Sequence, residues 1–111
     1  MIDDLSNQKC EACRAGSPLA TAEQIDEMKP TIPDWEIIEM GDIQRLTRCF
    51  IFRNFAEALE FTRKVGTIAE QEGHHPEIVT EWGKVTVTWW SHKIKGLHVN
   101  DFIMAAKTDK L

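Results

Sequence analysis

Apolar and polar positions along this chain repeat with two different periods, and each period predicts one kind of secondary structure. Between positions 55 and 69, apolar side chains recur every three or four residues, which is typical of one face of an α-helix. The stripe consists of Phe55, Ala58, Leu59, Thr62, Val65 and Ala69. Gly73 follows it and suits the left-handed position that ends a helix. Residues 85–89 alternate instead with a period of two, which favours a β-strand.

The remaining segments predict two β-hairpins and two further helices. Gly41 and Gly83 mark turns, and strand-like residues flank each of them. The spacing from Thr21 to Gln24 is that of a capping box and predicts a short first helix, and residues 99–106 have helical spacing again. The predicted strands are residues 35–40, 43–52, 77–82 and 84–90. The order α-β-β-α-β-β-α predicts an α+β fold, with a four-stranded antiparallel sheet and helices packed on one of its faces.

A chain of 111 residues has the size of one domain. Residues 1–20 show no period and end in turn-forming residues at 16–18, which predicts a flexible N-terminal arm. Residues 21–111 are then expected to form a single domain. A domain of this size can bury a core without disulfides or metal ions.

Charge and hydropathy argue against several classes of function. The net charge is −5 and the acidic residues are scattered, whereas a protein that binds nucleic acid needs a basic face. No apolar run reaches the roughly 18 residues of a membrane span, and the N-terminus lacks the pattern of a signal peptide. We therefore expect a cytoplasmic protein that binds neither nucleic acid nor a membrane.

The chain has three cysteines, and without an export signal we expect reduced thiols. Cys10 and Cys13 form one C-x-x-C pair. A zinc ribbon needs a second such pair, and a thioredoxin-like motif opens a helix after a strand. Two interpretations stay open: two thiols in a mobile arm, or a metal site that distant histidines complete.

The segment 70–77 joins the longest helix to the second hairpin and contains two adjacent histidines, His74 and His75. Histidine exchanges protons near neutral pH, so two of them beside a pocket suit general acid–base catalysis. Pro76 disfavours the α conformation at His75 and so prevents the helix from continuing. His92, in the loop after the second hairpin, is the third candidate for the same site.

Acidic and aromatic side chains near these histidines predict supporting roles. Glu70 precedes His74 by about one helical turn, and Asp101 follows His92, so either carboxylate can orient an imidazole or contact a substrate N–H. Trp82 and the tryptophans of the next strand can wall a flat ring. Each also has a purely structural interpretation, because acidic residues are common at helix ends and tryptophans are common in cores and interfaces.

Together these residues form a long, ordered motif. It runs Glu70-x-x-x-His74-His75-Pro76, then Trp82, then His92, Gly96-Leu97 and Asp101. In order and spacing it closely resembles the pterin-4a-carbinolamine dehydratase family, and the resemblance extends from Leu19 to the last helix. The cysteine-containing arm and the segment 80–92 are similar to the bacterial branch of that family, which accompanies phenylalanine hydroxylase.

The resemblance implies a hydro-lyase that dehydrates 4a-hydroxytetrahydropterin to quinonoid dihydropterin, with the pterin as substrate and no metal or redox cofactor. Such a reaction recycles the pterin of an aromatic amino-acid hydroxylase. By position, His75 and His92 are expected to exchange protons with the 4a-hydroxyl and a ring nitrogen, while His74 holds the pterin. Glu70 and Asp101 match the supporting acids of the family.

Three further expectations accompany this resemblance. Pro76 is expected to set the shape of the site and to take no part in the chemistry. A homodimer or homotetramer is expected, with a possible functional link to phenylalanine hydroxylase. The alternative function is a non-catalytic module that keeps the fold and the pterin pocket for a regulatory partner.

Overall fold

The structure, a computed structural model, describes residues 5–10 and 17–111. Its elements in chain order are α1 (Ala22–Met28), β1 (Glu36–Met40), β2 (Ile43–Ile51), α2 (Phe55–Glu72), β3 (Glu77–Glu81), β4 (Lys84–Trp89) and α3 (Val99–Asp109), with short 3₁₀ helices at Leu5–Asn7 and Lys29–Thr31. The predicted order α-β-β-α-β-β-α and the α+β fold are confirmed. No helix within these two described ranges is long and apolar enough to cross a membrane.

The strands form one antiparallel sheet in the order β1-β2-β4-β3. The two predicted hairpins therefore lie side by side, joined by the pairing of β2 with β4. In that pairing Leu46 lies opposite Trp89 and Ile51 lies opposite Lys84. The strands are slightly shorter than predicted. Four residues that were predicted as strand ends lie just outside the strands. These residues are Trp35, Phe52, Trp82 and Trp90.

One face of the sheet packs against α2 and α3 and forms the core. The side chains of Leu46, Val85, Val87 and Trp89 point to this face and are fully buried. Burying an aliphatic side chain of this size contributes about 1.5–3 kcal/mol relative to leaving it in water. The sheet and the two helices are therefore held together mainly by these central positions.

Arg48 also lies on the core face, which explains why the alternation of apolar residues in β2 is imperfect. Its guanidinium lies 4.4 Å from the centroid of the Phe50 ring and donates a 2.7 Å hydrogen bond to Asp109 at the end of α3. The aliphatic part of an arginine can cover apolar surface while its charge is paired at the edge. Arg48 can therefore occupy a position on the core face, with its charge paired to Asp109, and β2 continues through it.

Helix α2 begins and ends as its sequence predicts. The Asn54 side chain accepts a 2.9 Å hydrogen bond from the Glu57 N–H, and Gly73 adopts the left-handed conformation at φ 63°. The buried face of the helix differs from the predicted stripe: Ala58, Phe61, Val65 and Ala69 are buried. Phe55 and Leu59, which were expected on this face, are 45% and 52% exposed.

The described part of the first twenty residues packs against the domain. Leu5 is buried in the core, and the Ser6 carbonyl accepts a 3.0 Å hydrogen bond from the Lys107 ammonium of α3. Further along, the Ala20 N–H donates to the Leu97 carbonyl at 2.8 Å. Cys13 and the other residues between 11 and 16 lie outside the described residues. The division into an arm at 1–20 and a domain at 21–111 stays a prediction.

Candidate active site

The side chains of two adjacent histidines, at the turn between α2 and β3, point in different directions. Gly73 turns the chain in the left-handed conformation, and the His74 N–H closes the helix on the Ala69 carbonyl at 3.1 Å. Pro76 then leads directly into β3. As a result the His74 side chain is 7% exposed, whereas that of His75 is 60% exposed.

His74 is held between a carboxylate and an indole ring. Its Nε2 lies 2.6 Å from Asp101 Oδ1, and its ring stacks on that of Trp89 with centroids 5.8 Å apart and planes 10° from parallel. A carboxylate oxygen accepts hydrogen bonds, so Nε2 of His74 carries a proton. In the neutral ring the basic nitrogen is then Nδ1.

Asp101 is fully buried and accepts hydrogen bonds from three separate segments. Besides His74, the Ser91 hydroxyl donates to Oδ2 at 2.8 Å and the His98 backbone N–H donates to Oδ2 at 2.9 Å. The last of these bonds is half of a capping box, because the His98 side chain caps α3 in turn. Asp101 therefore starts the helix and orients His74 with the same carboxylate.

His75 and His92 lie beside this buried network and face solvent. The Nε2 atom of His75 is 2.6 Å from Glu70 Oε1, and the Nε2 atom of His92 is 3.2 Å from the His75 carbonyl oxygen. Both partners are acceptors, so each Nε2 carries a proton and each Nδ1 is the basic nitrogen of the neutral ring. The His75–Glu70 pair is exposed and is therefore worth little to stability.

A pocket of about 320 Å³ lies between these side chains and is lined by Gly73, His74, His75, His92 and Lys93. This volume is at the lower end of the range for small-molecule sites. The structure thus brings the three predicted histidines to one pocket. The arrangement can bind a small polar molecule and exchange protons with it through imidazole groups.

The predicted supporting residues have different positions in the structure. Glu70 contacts His75, while Asp101 is the partner of His74. Trp82 lies in the turn after β3, at the opposite end of that strand from His75, and is 74% exposed. It does not line the histidine pocket of its own chain. Pro76 lies between the histidine pair and β3, and its shape-setting role stays a prediction.

Sequence reasoning missed Ser91 and Lys93, and for Trp89 and Trp90 it predicted only that they can wall a flat ring. Ser91 binds Asp101, and Lys93 lines the pocket. The two tryptophans follow one another at the end of β4, so their side chains point to opposite faces of the sheet. The signal in the sequence was their position shortly before His92, with Ser91 between, but it does not show which histidine each tryptophan contacts.

Cys10 lies beside the buried network, with Sγ 3.8 Å from the Asn100 carbonyl and its backbone N–H bonded to Glu72 at 2.9 Å. The pKa of its thiol is raised from 9.0 to about 12, first by burial and then by the carboxylates of Glu72 and Asp101. Among the described residues, no group of three or more His, Cys, Asp or Glu side chains is placed to hold a metal ion. The expectation that neither metal nor cofactor is needed stays a prediction.

The sequence matches a known protein family. The family model for pterin 4 alpha carbinolamine dehydratase matches residues 17–111. A protein of Syntrophotalea carbinolica is 64% identical over 110 residues, which cover 99% of this chain and 98% of the relative. A protein of Nitrosococcus oceani is 63% identical over 110 residues, covering 99% and 97%. Both relatives bear the name "putative pterin-4-alpha-carbinolamine dehydratase".

Solved structures share the fold. A Brucella melitensis protein described as a transcriptional coactivator/pterin dehydratase superposes with a TM-score of 0.74 at 27% identity, covering 84% of this chain and 97% of that one. A second structure, of a pterin dehydratase-like protein identified as a RuBisCO assembly factor in the alpha-carboxysome, has a TM-score of 0.56 at 24% identity and covers 68% and 87%. The second likeness concerns the fold alone.

Replacing Asp101 by alanine should destabilise the domain, because three buried donors lose their acceptor. We expect Asp101→Ala to lower the free energy of unfolding by about 3 kcal/mol or more, measured by urea denaturation. The control is Asp26→Ala in α1, where the side chain is exposed and the change should stay within about 0.5 kcal/mol. Equal losses in the two variants would contradict the role given to Asp101.

The raised pKa of Cys10 predicts slow alkylation in the folded protein. Only the thiolate reacts, and at pH 8 a thiol with a pKa near 12 is almost entirely protonated. Cys49 in β2 is exposed and serves as the internal comparison. Iodoacetamide labelling followed by peptide mass spectrometry should modify Cys49 well before Cys10, and both equally in denaturant. Similar rates in the native protein would refute the burial of the Cys10 thiol.

Proposed function

This chain belongs to the pterin 4 alpha carbinolamine dehydratase family, and we propose that it dehydrates 4a-hydroxytetrahydropterin to quinonoid dihydropterin. In this reaction the bond between C4a and the hydroxyl oxygen breaks and the N5 proton is lost. A double bond forms between C4a and N5, and water leaves. The elimination changes no oxidation state, so it needs one proton donor and one proton acceptor and no redox partner.

The observation that carries the proposal is the meeting of three imidazoles at one pocket. An elimination of this kind needs a group that protonates the leaving hydroxyl and a group that takes a proton from nitrogen. Histidine supplies both functions near neutral pH, the acid as imidazolium and the base as the neutral ring. His74, His75 and His92 therefore offer the required pair together with a third group that can bind the ring.

We assign the proton transfers to His75 and His92 because both are solvent-facing and adjacent. The His92 ring donates to the His75 carbonyl at 3.2 Å, and both residues line the pocket. In each, the acceptor on Nε2 leaves Nδ1 to exchange protons with substrate. Glu70 holds the His75 ring through the 2.6 Å contact with Nε2.

His74 is assigned to binding and orientation. Its ring is fixed by Asp101 and by stacking on Trp89, so it cannot turn without breaking buried hydrogen bonds. A fixed donor or acceptor of this kind suits recognition of a polar ring edge. The quinonoid product is then available for reduction, which links the protein functionally to an aromatic amino-acid hydroxylase such as phenylalanine hydroxylase.

A second candidate is a non-catalytic module that binds a partner. The Brucella melitensis structure, at 27% identity, is described as both a coactivator and a dehydratase, so this family can be associated with a regulatory role. A binding module does not require the proton-transfer histidines. Their substitution therefore separates the two functions.

Removing either proton-transfer histidine should slow dehydration strongly. Stopped-flow absorbance can follow the decay of 4a-hydroxytetrahydropterin that a hydroxylase generates in situ. We expect the wild type to accelerate this decay, and we expect His75→Ala and His92→Ala each to lower kcat by about 100-fold or more, because general acid–base catalysis contributes this much. His74→Ala should act mainly on KM.

The matched control is His98→Asn, which removes a histidine outside the pocket and keeps a side chain that caps α3 well. It should leave the rate close to that of the wild type. Loss in only one of the two alanine variants would refute the pairing of His75 with His92. A wild-type rate equal to the spontaneous decay would overturn the dehydratase proposal and favour the binding module.

We also propose that the protein is a homodimer or homotetramer. Large apolar side chains are exposed at the end of the domain where β2 passes into α2 and where the β3–β4 turn lies. We call this the apolar end patch; its members are Ile51, Phe55, Leu59 and Trp82. Several large apolar side chains exposed at one end of a domain favour an interface between proteins.

Sedimentation velocity tests the assembly. The wild type should sediment as a dimer or tetramer, and Trp82→Ser should shift the distribution toward smaller species, because this side chain is 74% exposed within one chain. Leu111→Ser changes an exposed apolar residue outside the apolar end patch and should leave the distribution unchanged. A monomeric wild type at micromolar concentration would contradict the proposal.

A further inference from the structure

Trp90 contacts both a cation and one of the pocket histidines. The guanidinium carbon of Arg45 lies 4.1 Å from the centroid of the Trp90 ring, and the His92 ring lies 4.4 Å from it with planes 33° apart. We call these three residues the Arg45–Trp90–His92 cluster. It lies beside the candidate active site, and the mechanism above does not use Arg45 or Trp90.

The sheet brings Arg45 and Trp90 together. In the register of β2 and β4, Leu46 lies opposite Trp89 on the core face. The next position outward therefore places Arg45 beside Trp90 on the other face of the sheet, where cross-strand neighbours interact. The cluster is thus built on the strand ends, and its geometry depends on the regular part of the fold.

Arg45 has no other evident reason for its position. Arg45 is in none of the ion pairs among the described residues, and its Nε is buried without a hydrogen-bond partner there. A buried donor without a hydrogen-bond partner lowers stability, so another contact of Arg45 has to offset this free-energy cost. Stacking of the planar guanidinium on an indole ring is such a contact.

His92, by contrast, is exposed and weakly held. Its backbone lies in the loop that the Ser91–Gly96 pair closes, and its ring makes one described hydrogen bond, to the His75 carbonyl at 3.2 Å. A single hydrogen bond does not fix the orientation of the imidazole ring. Contact with the Trp90 ring restricts the side-chain rotation of His92 and so limits the direction in which Nδ1 points.

We propose that Trp90 is a positioning residue for His92 and that Arg45 holds Trp90 in place. The proposal rests on the proposed function for its catalytic consequence, but the positioning itself is a property of the folded protein. Trp89 and Trp90 then contact histidines on two sides of the pocket. Trp89 fixes His74 from the core face, and Trp90 fixes His92 from the open face.

The first test is structural and does not depend on activity. In protein labelled with ¹³C-histidine, the Cε1–H resonance of His92, assigned by its absence in His92→Ala, should be displaced by the ring current of Trp90. Trp90→Leu should move this resonance substantially and leave that of His98 unchanged, and Trp90→Phe should restore part of the displacement. An unmoved His92 resonance in Trp90→Leu would overturn the proposal.

The second test is kinetic and uses the dehydration assay. We expect Trp90→Leu to lower kcat by about 10- to 100-fold with little change in KM, since small misplacements of a catalytic group have effects of this size. Trp90→Phe should recover part of the loss. In a His92→Ala background the same Trp90→Leu change should have no further effect, because the group that it positions is absent. Full additivity would overturn the positioning role.

Arg45→Met supplies a second route if Trp90→Leu does not fold. It keeps the aliphatic stem and removes the cation, so it should broaden or shift the His92 resonance and lower kcat in the same direction as Trp90→Leu. Arg63→Met is the matched control, since Arg63 is exposed and pairs with Glu60 within α2. An inactive wild type with a displaced His92 resonance would refute the proposed function and leave the positioning inference standing.

Discussion

A single buried carboxylate, that of Asp101, joins three segments of this domain that are distant in sequence. It accepts hydrogen bonds from His74 at the end of α2, from Ser91 after β4 and from the backbone at the start of α3. A buried carboxylate is costly to desolvate and is tolerated only when donors satisfy it. The site and the start of α3 are therefore coupled, because neither can move without leaving a charge or a donor unpaired.

The same coupling explains why the pocket has a rigid side and an adjustable side. His74 is enclosed by Asp101 and Trp89, whereas His75 and His92 stand at the surface with one described hydrogen bond each. On the exposed side, order has to come from stacking, and this is the role that Trp90 and Arg45 can fill. The end of β4 thus supports the pocket from both faces of the sheet.

Much of the fold was predictable, because hydrophobic period, turn glycines and caps all indicate the same elements. The site was predictable in part, since the histidine pair at the α2–β3 corner is a local feature.

The remaining features depend on which residues come together in the folded structure. Phe55 and Leu59 fit the helical period of α2, but period alone does not say which part of an apolar stripe meets the sheet. Trp82 is near His75 in sequence and a full strand away in the fold. The pairing of Asp101 with His74 follows from how α3 packs, which no local pattern encodes.

The difference in exposure among the three histidines bears directly on the proposed assignment of their roles. In the proposed reaction each turnover releases one water molecule and no net proton. The acid has then lost a proton and the base has gained one, so both groups must be restored between turnovers. The exposed rings of His75 and His92 can exchange protons with solvent directly, while the buried ring of His74 is committed to Asp101 by a short hydrogen bond. A protonation change at His74 would disturb the carboxylate that also starts α3, and so would cost stability at every cycle. In the proposed assignment, proton transfer through the exposed pair avoids that cost, because it does not require the buried network to change.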